Sequence, residues 1–307
     1  MKDLIVRTDT RHRGAARLVA IFLFAALLSA TPYHAAFAAT APAFGSAGSF
    51  AVLSAAPSAG GAVTLTASTV KGDVGSSGAM VSVTNTGSTI MGAVIAPVSA
   101  QVLTDFNSAY DQYAAISCTG LLDTAYTGAT LTLTPGVYCN AAAVTFTNTT
   151  LTLDAQGDPN AVWIFKIGTG GTGALTGTSF SVIMTGGGSP CSVYWWVAEA
   201  ATLTTSNFQG TILAGAAITM TGLAGTTTPF NGDALAKAAV TLTDVTITEC
   251  AASGGGGGKS QSKCNQGVGN GPENCDPGYS NQGDPSRSND ELGGTPGNPG
   301  RKGGNGK

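Results

Sequence analysis

Asp154 and Asp158 are the nearest approach to a catalytic pair in this chain. A polysaccharide-cleaving β-helix enzyme needs two carboxyl groups about 5–10 Å apart to work as acid and base. These two lie in the segment Asp154-Ala155-Gln156-Gly157-Asp158-Pro159-Asn160, a turn composition in which Asp commonly bonds local backbone. The two histidines, His12 and His34, both precede residue 40. Past that point the chain lacks the commonest general base and the commonest metal ligand. The six cysteines form no CxxC pair, so disulfides are expected rather than zinc, and spacing alone leaves the pairing open. Trp163, Trp195 and Trp196 could stack on sugars, and the adjacent pair is expected to point to opposite faces of a strand. The abundant group is the threonine hydroxyl. Between residues 44 and 250 there are 36 Thr, against three Lys, no Arg and ten Asp or Glu. That composition predicts a large uncharged binding surface, no enzyme activity, no cofactor, no metal and no basic stripe for nucleic acid.

Those threonines recur in a small unit, apolar-Thr-apolar-Thr. Val63-Thr64-Leu65-Thr66, Val144-Thr145-Phe146-Thr147, Ile218-Thr219-Met220-Thr221 and Val240-Thr241-Leu242-Thr243 are examples. Period-two alternation puts the apolar side chains on one face of a strand and Thr on the other. Leu203, Thr219 and Thr241 are 16 and 22 residues apart, a solenoid-like spacing. Each unit is too short to bury its own apolar face, so the units must stack. A β-sandwich, the rival arrangement, would want Greek-key spacing and longer strands. One segment, Pro97 to Ser117, carries Val102, Leu103, Phe106, Tyr110 and Tyr113 at helical spacing, with Pro97 placed to start a helix.

The ends differ from the middle. Residues Lys2 to Arg17 are basic, Leu18 to Ala30 is an apolar run, and Ala36-Phe37-Ala38 fits a small-x-small cleavage site. This order predicts a signal peptide over 1–38, export, and no transmembrane segment once it is removed. Residues 39–250 form the predicted domain. Residues 251–307 are a Gly-rich flexible tail that begins with the run Gly254 to Gly258. The tail's Asp and Asn lack the spacing of a calcium loop.

At this point the residues resemble a known family. The opening Phe44-Gly45-Ser46-Ala47-Gly48-Ser49-Phe50-Ala51-Val52-Leu53 is similar to that of the ice-binding-like domain of microbial antifreeze proteins. So are Leu131 to Tyr138, the stretch Leu151 to Phe165, Gly210-Thr211-Ile212-Leu213-Ala214 and Asn231-Gly232-Asp233-Ala234-Leu235-Ala236. The resemblance spans roughly 44 to 250. It implies an all-β fold, a discontinuous, right-handed, three-sided β-solenoid with one α-helix packed alongside.

The resemblance also implies that one flat face binds ice through a Thr-Ala/Gly-x-Thr/Asn repeat. Thr66-Ala67-Ser68-Thr69 matches fully, Thr176-Gly177-Thr178-Ser179 ends in Ser, and Thr204-Thr205-Ser206-Asn207 has Thr at its second place. Thr221-Gly222-Leu223-Ala224 loses the final polar residue, and Thr243-Asp244-Val245-Thr246 carries a charge. The expected ice-contacting residues are Thr66, Ser68, Thr69, Thr176, Thr178, Thr204, Ser206, Thr221 and Thr243. The partner is then the surface of an ice crystal, outside the cell or at its surface, with cell-surface material a possible partner of the tail. The alternative use of the scaffold is adhesion or carbohydrate binding. Cys118 follows the helix and Cys139 ends a strand, so a bridge between them would pin the helix. A Cys191–Cys250 bridge would hold the last strand, and Cys264–Cys275 would close a loop in the tail.

Overall fold

The computed structural model describes residues 40–57 and 60–250. The expected signal peptide, the tail and the Cys264–Cys275 bridge lie outside those residues. Within them the chain winds eight coils, over 52–71, 74–95, 120–133, 136–154, 163–185, 193–209, 211–231 and 234–248. We number these coils one to eight in chain order. Each contributes one strand to each of three faces, coil two adds a second, Val94–Ile95, to the first of them, and all strand pairs are parallel.

Coil one does not stack on coil three. Val52–Ser54 pairs with Ala234–Ala236 of coil eight on one side and with Val74–Ser76 of coil two on the other. The stacking order is therefore two, one, eight, seven, six, five, four, three. The chain builds one end first and crosses to the other. It then climbs back until its last coil meets its first, which is the discontinuity the resemblance implies.

The crossing is made by the α-helix Ala100–Ala115. Ser99, rather than Pro97, caps it: its hydroxyl accepts from the Val102 N–H at 3.4 Å. The helix buries Val102, Phe106, Ala109, Tyr110 and Tyr113, the expected stripe with Ala109 in place of Leu103, which is partly buried. They pack on the outer side of the nine-stranded face, against Leu53, Ile164, Trp196, Leu213 and Leu235. Lys166 of that face is only 4% exposed. Its ammonium donates to the carbonyls of Ala114 (2.7 Å) and Ile116 (2.5 Å), satisfying acceptors that a helix C-terminus leaves open. The Cys118–Cys139 bridge fixes the chain just beyond, and Cys191–Cys250 ties coil six to the end of coil eight. Both are the pairs expected from the sequence.

The solenoid interior is a single apolar column. Val63, Leu65, Val144, Phe146, Ile218, Leu242 and their equivalents are fully buried by the period-two pattern. Aromatic rings stack along it: Phe146 lies 5.1 Å from Tyr126 and 4.2 Å from Phe180, both nearly coplanar. Gly177 makes room for this stack. A Cβ there would meet Leu203 Cδ2 at 2.7 Å and Phe180 Cβ at 3.3 Å.

Candidate functional site

The three faces differ in what they leave free. The nine-stranded face carries the helix. The third face is broken into sheets of five and three strands, joined by one bridge between Ser181 and Asn207. Only the eight-stranded face runs unbroken through every coil with its outer side open.

Its outward side chains form two rows. In the first, Thr84, Thr64, Thr241, Thr219, Thr202, Thr176 and Thr145 stand in register, with Ala125 at the end. In the second, Thr86, Thr66, Thr243, Thr221, Thr204, Thr178, Thr147 and Thr127 do the same without a break. All are half-buried or exposed. Adjacent strands lie about 4.8 Å apart, and residues two apart on one strand about 6.6 Å, so the rows make a two-dimensional grid of hydroxyl and methyl groups. None of these eight strands carries a charged residue. Threonine's β-branch fixes its χ1, so the grid is preorganised.

A sharp corner follows the second row. The next residue is Ala67, Asn148, Ser179, Thr205 or Asp244 in five coils, each in the left-handed region at φ between 46° and 54°. That turn decides where the sequence-predicted residues go. Thr66, Thr178, Thr204, Thr221 and Thr243 lie in the second row and Thr176 in the first. Thr69 lies round the corner on the five-stranded sheet, in register with Thr246 and Thr89. The four-residue repeat therefore straddles two faces rather than lying on one.

Ser68 and Ser206 do not reach the surface. Ser68 is 2% exposed and Ser206 7%. The Ser68 hydroxyl donates to the Thr66 carbonyl at 2.9 Å and accepts from the Val245 N–H at 3.2 Å. Ser206 does the same with the Thr204 carbonyl and the Phe180 N–H. They close the corner from inside, so both leave the contact set. The Thr176-Gly177-Thr178-Ser179 frame is also shifted, because Thr178, not Thr176, aligns with Thr204 and Thr221. Sequence reasoning missed the rest of the grid. The alternation in Val63-Thr64-Leu65-Thr66 carried the signal, since it puts Thr64 outward with Thr66.

The residues weighed for other chemistries occupy local structural roles. The Asp154 and Asp158 carboxylates accept from the Gln156 and Asn160 N–H groups, as turn residues do. No cluster of potential metal ligands occurs among the described residues. Trp163 and Trp195 are fully buried in the solenoid, and Trp196, on the opposite face of its strand, lies beneath the helix 5.2 Å from Tyr110. All three tryptophans are thus unavailable as a sugar platform.

Comparison with known proteins places the chain in a family. A family model described as ice-binding-like matches residues 56–248. The chain is 40% identical over 125 residues to an ice-binding protein of Nostoc sp. (strain HG1), a match covering 40% of this chain and 44% of that one. It is 41% identical over 85 residues to ice-binding protein 1 of Shewanella frigidimarina, covering 27% of this chain and 9% of that protein. The chain thus spans less than half the length of these curated relatives. Its fold matches the crystal structure of an ice-binding protein from the Antarctic ascomycete Antarctomyces psychrotrophicus. The TM-score is 0.57 at 34% identity, over 69% of this chain and 99% of that one.

Proposed function

The chain belongs to the ice-binding-like family, and on that premise we propose that it is a secreted ice-binding protein whose contact surface is the eight-stranded threonine face. The observation that carries this reading is the register of the two threonine rows, one through all eight coils and the other through seven. Ice is a lattice, and a rigid, uncharged lattice of hydroxyls and methyls can match it. The hydroxyls bond surface water and the methyls keep the intervening hydration sparse. Charged groups would hold hydration shells of their own, and these strands have none. Because χ1 is already restricted, little entropy is lost on contact.

Export is supported by the leader-like order of residues 1–38 and by two disulfides, which persist in oxidising compartments. In this reading the leader is removed, 39–250 is the ice-binding domain, and 251–307 is an appendage. No catalytic role is assigned to it.

The test is substitution across the face. Thr178→Tyr and Thr221→Tyr should each abolish most ice shaping and thermal hysteresis, because the ring lifts the face off the lattice. Melting should move little, within about 0.5 kcal/mol for a surface site. Thr152→Tyr, on the three-stranded sheet, is the control and should leave ice activity unchanged. Equal activity in all three variants would remove this face from the reading.

A further inference from the structure

A cleft of about 470 Å3 takes none of its lining from the strands of the threonine face. The segment 41–45 forms one wall, and the starts of coils five to eight form the rest. Phe44, Asn160, Tyr194 and Thr211 line it together with Asp233. We propose that this cleft binds a small primary ammonium compound, with Asp233 as the counter-charge and the rings of Phe44 and Tyr194 as its wall. The inference is independent of ice binding.

Asp233 is 3% exposed, and no cation pairs with it among the described residues, where the one ion pair is Lys237–Asp111. Buried carboxylates are ordinarily paired, because losing hydration disfavours the charge. One oxygen accepts from the Thr211 hydroxyl (2.9 Å) and the other from the Cys250 N–H (3.0 Å). A carboxylate has about four acceptor positions, so about two remain open. Burial pushes this carboxyl up to about 8. Above that pH the group is ionised, and an ammonium group in the cleft would supply both the missing charge and the missing donors. The rings of Phe44 and Tyr194, 5.8 Å apart, add faces that attract a cation. The volume fits a small organic molecule rather than a bare ion. Neither Phe44 nor Asp233 lies on the strands of the threonine face, so occupancy should leave that face unaltered.

The experiment is titration of the full chain with ethylammonium chloride at constant ionic strength, read by the carbon-13 resonance of the Asp233 carboxyl group. Tetramethylammonium, which has no N–H donor, is the control. The titration is run with the amino terminus free and again acetylated. Saturable binding of ethylammonium and not of tetramethylammonium is expected. In Asp233→Asn, followed by amide shifts of Thr211 and Cys250, affinity should fall at least about tenfold, the loss of one charge-assisted hydrogen bond. Binding seen only after acetylation would assign the same site to the chain's own α-amine. No saturation in either form, equal response to tetramethylammonium, or unchanged affinity in Asp233→Asn would overturn the proposal.

Discussion

The Val245 N–H donates to the Ser68 hydroxyl at 3.2 Å across 177 residues of chain. This bond crosses the seam where coil one meets coil eight, the one place where stacked neighbours are far apart in sequence. Ser68→Ala would leave a buried N–H without its partner, at a cost of about 1–3 kcal/mol. Urea unfolding should show that loss, while ice shaping per folded molecule stays at the wild-type level. A large loss of ice activity at unchanged stability would return Ser68 to the contact set.

The first threonine row is expected to matter as much as the second. Thr202 pairs with Thr176 on one side and Thr219 on the other, in the middle of the face. Thr202→Tyr should reduce thermal hysteresis as far as Thr221→Tyr does. If Thr202→Tyr is silent and Thr69→Tyr is damaging, ice meets the corner between two faces instead of the flat sheet.

The Cys191–Cys250 bridge closes a loop with a sequence separation of 59. Replacing both cysteines with Ser should lower stability by about 2–4 kcal/mol, chiefly by freeing the unfolded chain. Calorimetry with and without the bridge measures it. The loss should be larger than for Thr221→Tyr by several fold.

Two carboxyl groups should make stability pH-dependent. Burial pushes Asp233 up to about 8, and burial with the charge of Asp73 pushes Glu249 up to about 7. In the unfolded chain both titrate near about 4. The folded state therefore holds protons that the unfolded state has lost, so stability falls as pH rises from about 4 to about 8 and levels off above. Urea midpoints in amine-free buffer should be higher at pH 5 than at pH 9. Asp233→Asn should remove most of that slope. An unchanged slope would place the pH dependence elsewhere.

Much of this was legible in the sequence. The alternation in Ile218-Thr219-Met220-Thr221 gives the strand and its two faces, and the stripe from Val102 to Tyr113 gives the helix. Cys118 and Cys139 flank elements that visibly needed joining. What could not be read was which residues share a face. Thr66 and Thr69 are three apart, but the left-handed Ala67 turns the chain between them. A left-handed alanine has no composition signal of its own. Nor does local sequence say that coil one waits for coil eight, because that pairing depends on where the helix takes the chain.

That order of stacking sets a timetable for the chain as it is made. The strands of residues 52–71, synthesised first, find their second partner only when residues 234–248 have emerged. Long-range parallel pairing is slow because the loop must close before any contact rewards it. Coils one and two can meet each other early, but the sheet cannot close around them until nearly the whole domain exists. A chain threaded through a membrane from its amino end would thus be free to stack coils three to seven as they emerged, while its first two coils stayed apart from them until the eighth arrived and completed the threonine grid.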